Sequence, residues 1–104
     1  RINTTNIVDD AEGARRLFVP LGEAREGAVL VFKGGGDKVG HAGIVTEVAS
    51  GRATRVLHCA PENYALPPKE GRARNAIAVT DTARFDAEAA LGRLRVVWWK
   101  AFPL

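Results

Sequence analysis

The chain has no methionine, one cysteine and two histidines among its 104 residues. The single cysteine, Cys59, excludes an internal disulfide and a four-cysteine zinc site. No apolar run approaches the roughly 20 residues that a membrane-spanning helix needs, so we expect no membrane span. Nothing in it resembles a secretory leader. Because synthesis starts at methionine, its absence predicts a chain that was processed, trimmed or cut from a longer one.

The bulk composition is that of an ordinary soluble globular protein, with 46% hydrophobic and 26% charged residues. Its length predicts a single domain over residues 1–104. The net charge of +3 is spread along the chain. The densest basic cluster, Lys69, Arg72 and Arg74, follows two prolines and favours a solvated loop over a nucleic-acid site. We therefore expect no nucleic-acid partner.

The local patterns predict an α+β domain around a small, mostly antiparallel sheet of about five strands with short helices. Asn6 and Asp9 predict a helix start, Gly13 its end, and residues 14–18 at most one further turn before Pro20. Strands are predicted at 28–32, 40–48, 55–60, 75–79 and 94–102, and a second helix from a cap at Asp81 or Thr82 to Leu91. The first of these strands is apolar on both faces, which is typical of a central strand.

The two histidines occupy the same phase of two successive strand patterns. Side chains alternate along a strand, so His41 shares a face with Val45, and His58 shares one with Val56. If the two strands form an antiparallel hairpin, both imidazoles lie over the same side of the sheet. A pair of ring nitrogens there can take a proton and orient each other, which is half of a nucleophile–base–orienter triad.

A family resemblance rests on three segments: Glu26–Phe32, His41–Val45 after a glycine loop, and Val56–Ala60. Together they resemble the second half of an NlpC-type domain, a papain-like cysteine peptidase of bacterial cell walls related to the CHAP amidases. The resemblance is clear over residues 23–60. It implies an NlpC-like half domain, with His41 as general base and His58 as the orienting third residue. It also implies a place in the cell envelope, outside the cell or on a phage.

The chain departs from the family pattern at the nucleophile. The family cysteine begins a helix in an Asp-Cys-Ser-Gly type motif that precedes these strands, and this chain has no such motif. The family's Pro-Gly-Asp turn is also replaced, here by Glu26-Gly27-Ala28. The resemblance thus implies the C-terminal portion of a catalytic domain, and a partner that carries the cysteine: a missing N-terminal segment or a second chain. Without that helix, we expect the sheet to expose an apolar face.

Cys59 is a weak substitute for the missing nucleophile. It neighbours His58 in the strand, so the two side chains must face opposite ways. If His58 faces the active side, Cys59 points into the core as a small buried hydrophobe of low reactivity. The same geometry argues against a metal site built from His41, His58 and Cys59, and we expect no metal and no cofactor.

The resulting hypothesis is the base-bearing part of a cysteine hydrolase that cleaves peptide or amide bonds in peptidoglycan. Glu62, Asn63 and Tyr64 follow the His58 strand, and their position predicts that they line the groove for a peptidoglycan peptide. The alternative is a non-catalytic module, a pseudoenzyme that uses the same groove to bind peptidoglycan or a protein.

Overall fold

The computed structural model describes residues 3–35, 39–60 and 77–103. These residues form an α+β domain with one antiparallel sheet, in the strand order β1-β6-β2-β3-β4-β5. The predicted fold class is confirmed. In chain order the elements are α1 (Thr4–Glu12), β1 (Phe18–Pro20), β2 (Val29–Phe32), β3 (His41–Ala49), β4 (Arg52–Cys59), β5 (Ile77–Thr80), α2 (Ala83–Ala90) and β6 (Arg95–Trp99).

The sheet separates two apolar layers. We call one side the histidine face; it carries Leu30, Phe32, His41, Val45 and His58. Helix α2 supplies Phe85 to this layer, while α1 packs on the opposite face against β1 and β2. All four residues of β2 are buried, which confirms the predicted central strand.

Two local predictions were wrong. Helix α1 starts at Thr4 rather than at Asn6, because Asn3 and Asn6 form a reciprocal capping box in which each side chain accepts the other's backbone N–H. The sheet also has a sixth strand, β1, in a segment for which at most one helical turn, over residues 14–18, and no strand was predicted. It is three residues long and lies at the sheet edge, where Pro20 is tolerated. So short a strand has no readable periodicity.

No helix among the described residues is long and apolar enough to cross a bilayer.

A single carboxylate organises the corner between α1 and β1. The backbone N–H groups of Arg16, Leu17 and Phe18 each donate to Asp10 at 2.8 Å. The bonds from Leu17 and Arg16 contribute most to holding the pKa of Asp10 below its ordinary value. The corner is therefore built for an ionised aspartate.

We expect Asp10→Asn to lower the urea midpoint at neutral pH, because an amide nitrogen cannot accept the bonds that one carboxylate oxygen accepts. Because the pKa of Asp10 is lowered in the folded state, its contribution to the free energy of unfolding is fully present above the ordinary aspartate pKa of about 3.9. That contribution is lost progressively as the pH falls through the pKa of the folded state. The midpoints of the two proteins should therefore converge below about pH 4. A constant gap between pH 3 and 7 would contradict this account.

Candidate active site

The hairpin of β3 and β4 brings the two histidines together. Its turn places Ser50 and Gly51 at φ of 51° and 76°, a left-handed pair that matches the twist of a tight hairpin. Val45 pairs with Val56 in the resulting register. His41 and His58 lie on one face of the sheet, as their strand phase predicts.

The imidazoles are joined directly. His41 Nε2 lies 2.8 Å from His58 Nδ1, and the ring planes cross at 78°. His58 is only 5% exposed, whereas His41 is half-buried at the start of its strand. The pair therefore has an inner histidine, shielded from solvent, and an outer one that reaches the surface. A base and its orienter need this arrangement.

Gly43 on β3 lets the side chains of β4, including that of His58, approach β3 closely. A Cβ atom at this position would lie 2.5 Å from Val56 Cγ2 and 3.1 Å from His58 Cβ. Any larger residue would force the β4 side chains away from β3. The space that the missing side chain leaves is thus filled by the neighbouring strand, and His58 packs over it.

Phe85 covers the pair from helix α2. Its ring centroid lies 5.2 Å from that of His41 and 5.6 Å from that of His58, and the side chain is fully buried. Phe32 packs on Phe85 edge to face at 6.0 Å. The aromatic cover excludes water from His58 and strengthens the electrostatic interactions beneath it.

The inner histidine has a second polar partner on β5. His58 Nε2 lies 2.7 Å from Thr80 Oγ1, and the Thr80 hydroxyl in turn donates to the Asp81 carbonyl at 2.8 Å. Neither Thr80 nor Phe85 was among the residues predicted for the site. Both are more than 20 positions from His58 in the sequence, and no local motif marks either of them.

The prediction for Cys59 was half wrong. The side chain does face away from His58, as alternation requires, but it is exposed rather than buried in the core. Helix α1 packs on the opposite face mainly over β1, β6 and β2, and among the residues that the structure describes several apolar side chains of β3, β4 and β5 on that face stay exposed. The large apolar residues exposed there are Ile44, Leu57 and Ile77.

The predicted groove residues Glu62, Asn63 and Tyr64 lie outside the described residues, as does the basic cluster of Lys69, Arg72 and Arg74. Within the ranges that the structure describes, no three His, Cys, Asp or Glu side chains are close enough to hold a metal ion.

The start of α1 lies beside the start of β3. A Cβ on Gly40 would overlap Thr4 Oγ1, so the first turn of α1 packs directly on the residue that precedes His41.

Comparisons with protein-family models, with curated proteins and with solved structures give no match for this chain.

Proposed function

We propose that this chain is the base-bearing part of a cysteine hydrolase that cleaves peptide or amide bonds in peptidoglycan. The observation that carries the proposal is the 2.8 Å contact between a half-buried His41 and a buried His58. An outer imidazole can exchange protons with a substrate, while a buried partner holds its orientation. The choice of peptidoglycan as substrate rests on the NlpC resemblance of residues 23–60.

In this mechanism a cysteine thiolate attacks the carbonyl carbon of the scissile bond. His41, protonated as the partner of the thiolate, gives its proton to the leaving amine as the carbon–nitrogen bond breaks. His41 then takes a proton from the water that hydrolyses the thioester, which restores the thiol and releases the acid. His58 keeps the His41 ring in place through both steps.

The thiol has to come from outside this chain. Cys59 is the only cysteine, and it faces away from both histidines on the opposite side of the sheet. We infer an upstream source: the contact between Thr4 and Gly40 places the start of α1 at the end of the sheet where β3 begins, and a segment joined to α1 would pass round that end from the α1 face to the histidine face. A second chain that bears the cysteine could dock at the same end of the sheet.

The decisive experiment supplies the thiol. We would express the chain joined to the coding sequence that precedes Arg1 in its natural reading frame, confirm a cysteine there by alkylation, and measure release of peptides from purified cell wall. We expect time-dependent release that stops when the upstream cysteine is replaced by serine.

A folded protein with a confirmed upstream cysteine that released no peptide from cell wall would contradict the proposal. If such a protein instead bound cell wall and the binding survived replacement of His41, the non-catalytic binding module would be supported.

A further inference from the structure

We propose that Thr80 is a positioning residue that fixes the tautomers of both histidines and thereby makes His41 Nδ1 the proton-accepting atom. The structural part of this assignment stands on hydrogen-bond geometry. Its catalytic consequence rests on the function proposed above.

The direction of the hydrogen-bond chain is set at its far end. The Asp81 carbonyl can only accept, and a threonine hydroxyl has a single hydrogen to donate. Because that hydrogen goes to Asp81 at 2.8 Å, Thr80 Oγ1 meets His58 Nε2 as an acceptor at 2.7 Å. His58 therefore carries its proton on Nε2.

The same logic passes to the outer ring. A neutral histidine has one N–H and one acceptor nitrogen, so a proton on His58 Nε2 leaves His58 Nδ1 as an acceptor. His41 Nε2 then donates across the 2.8 Å contact, and the neutral His41 has its lone pair on Nδ1. In the reverse arrangement the proton would sit on His41 Nδ1, and that atom could not accept another.

Burial makes Thr80 hard to replace. His58 is 5% exposed, and Phe85 packs on its ring, so a solvent molecule has little access to take over the role of the hydroxyl. Thr80 lies opposite Val56, and Ala78 lies opposite His58, which places the hydroxyl on the histidine face. The Thr80 hydroxyl thus gives the buried His58 Nε2 a hydrogen-bond partner and also holds the His58 ring in its orientation.

The test is a direct reading of the tautomers. Long-range ¹H–¹⁵N correlation spectra of the ¹⁵N-labelled protein at about pH 8.5, where ordinary histidines are neutral, distinguish protonated from bare ring nitrogens. We expect both histidines to carry the proton on Nε2. Thr80→Val keeps the shape and removes the acceptor, and we expect the ratio of the two tautomers of His58 to fall about fivefold, the equivalent of one hydrogen bond. Thr80→Ser should restore it.

Thr82→Val is the matched control, because the Thr82 hydroxyl donates to Asp86 and not to a histidine. In Thr82→Val, the tautomers of His41 and His58 should match those of the wild type. Wild-type His58 protonated on Nδ1 would overturn the assignment, and this reading does not depend on whether Thr80→Val folds. A folded Thr80→Val with wild-type tautomers would overturn it as well.

Activity measurements separate this assignment from the proposed function. In the cysteine-bearing protein, Thr80→Val should lower kcat about fivefold with KM unchanged, and serine should restore it. If the wild-type protein releases no peptide while the spectra behave as expected, the hydrolase proposal fails and the tautomer assignment stands. If peptide is released but the valine variant keeps the wild-type kcat and tautomers, the role of Thr80 fails and the hydrolase stands.

Discussion

Replacement of His41 by alanine should lower the rate of peptide release by the cysteine-bearing protein roughly 10²- to 10⁴-fold, the range that a positioned acid–base group contributes. His41 is the half-buried member of the pair, and in the proposed mechanism it is the one that meets the thiol and the substrate. Its loss removes both the ion-pair partner of the thiolate and the proton donor for the leaving amine. Initial rates of peptide release under saturating cell wall, with folding checked by circular dichroism, measure the effect.

Thr46→Val is the matched control on the same strand. The Thr46 hydroxyl is buried and finds no hydrogen-bond partner among the residues that the structure describes, so valine should leave both rate and stability close to those of the wild type. If His41→Ala retained more than about a tenth of the wild-type rate, His41 would be excluded as the general base. The binding-module alternative instead predicts no peptide release by the wild-type protein, and cell-wall binding that survives His41→Ala.

The largest effect on stability is expected at Phe85. This side chain is fully buried and packs on Phe32 and on both histidines, so Phe85→Ala should lower the free energy of unfolding by about 3–5 kcal/mol. A small domain is stable by only about 5–15 kcal/mol, and the variant would approach the limit of folding. Urea unfolding followed by tryptophan fluorescence, with unchanged slope, gives the number.

The control for this prediction is the same residue type at the surface. Phe102 is 59% exposed, and its contact with Trp98 is made by the main-chain carbonyl, so Phe102→Ala should change stability by less than about 0.5 kcal/mol. A loss below about 1 kcal/mol for Phe85→Ala would mean that α2 does not pack on the histidines in solution. Phe85→Leu should fall between the two.

The parts of the fold that follow a local period could be predicted from the sequence. The shared phase of His41 and His58 follows from alternation along their two strands. The central position of β2 follows from its unbroken apolar run. Each of these features depends on a few neighbouring residues, which is the range over which a pattern can be read.

The parts that depend on which element covers which face could not be predicted in this way. Val56 and Leu57 are adjacent apolar residues of β4 that face opposite sides of the sheet, so the sequence does not indicate that Leu57 and Cys59 are on the exposed side. Thr80 and Phe85 meet the histidines only because β5 pairs with β4 and α2 folds back over the sheet. Such contacts follow from the tertiary arrangement, and neither residue type is unusual in its own segment.

The strand order has a consequence for the order of assembly. The strands β2 to β5 are neighbours in the sheet in the order in which they are synthesised, but β6, the last to emerge, inserts between β1 and β2. Until residues 95–99 are available, β2 presents an open edge of four apolar residues that are buried in the finished domain. An open apolar edge is a site for misassociation between chains. The hairpin that carries the histidines can form early from local contacts, whereas the sheet that supports it closes only with the C-terminal strand.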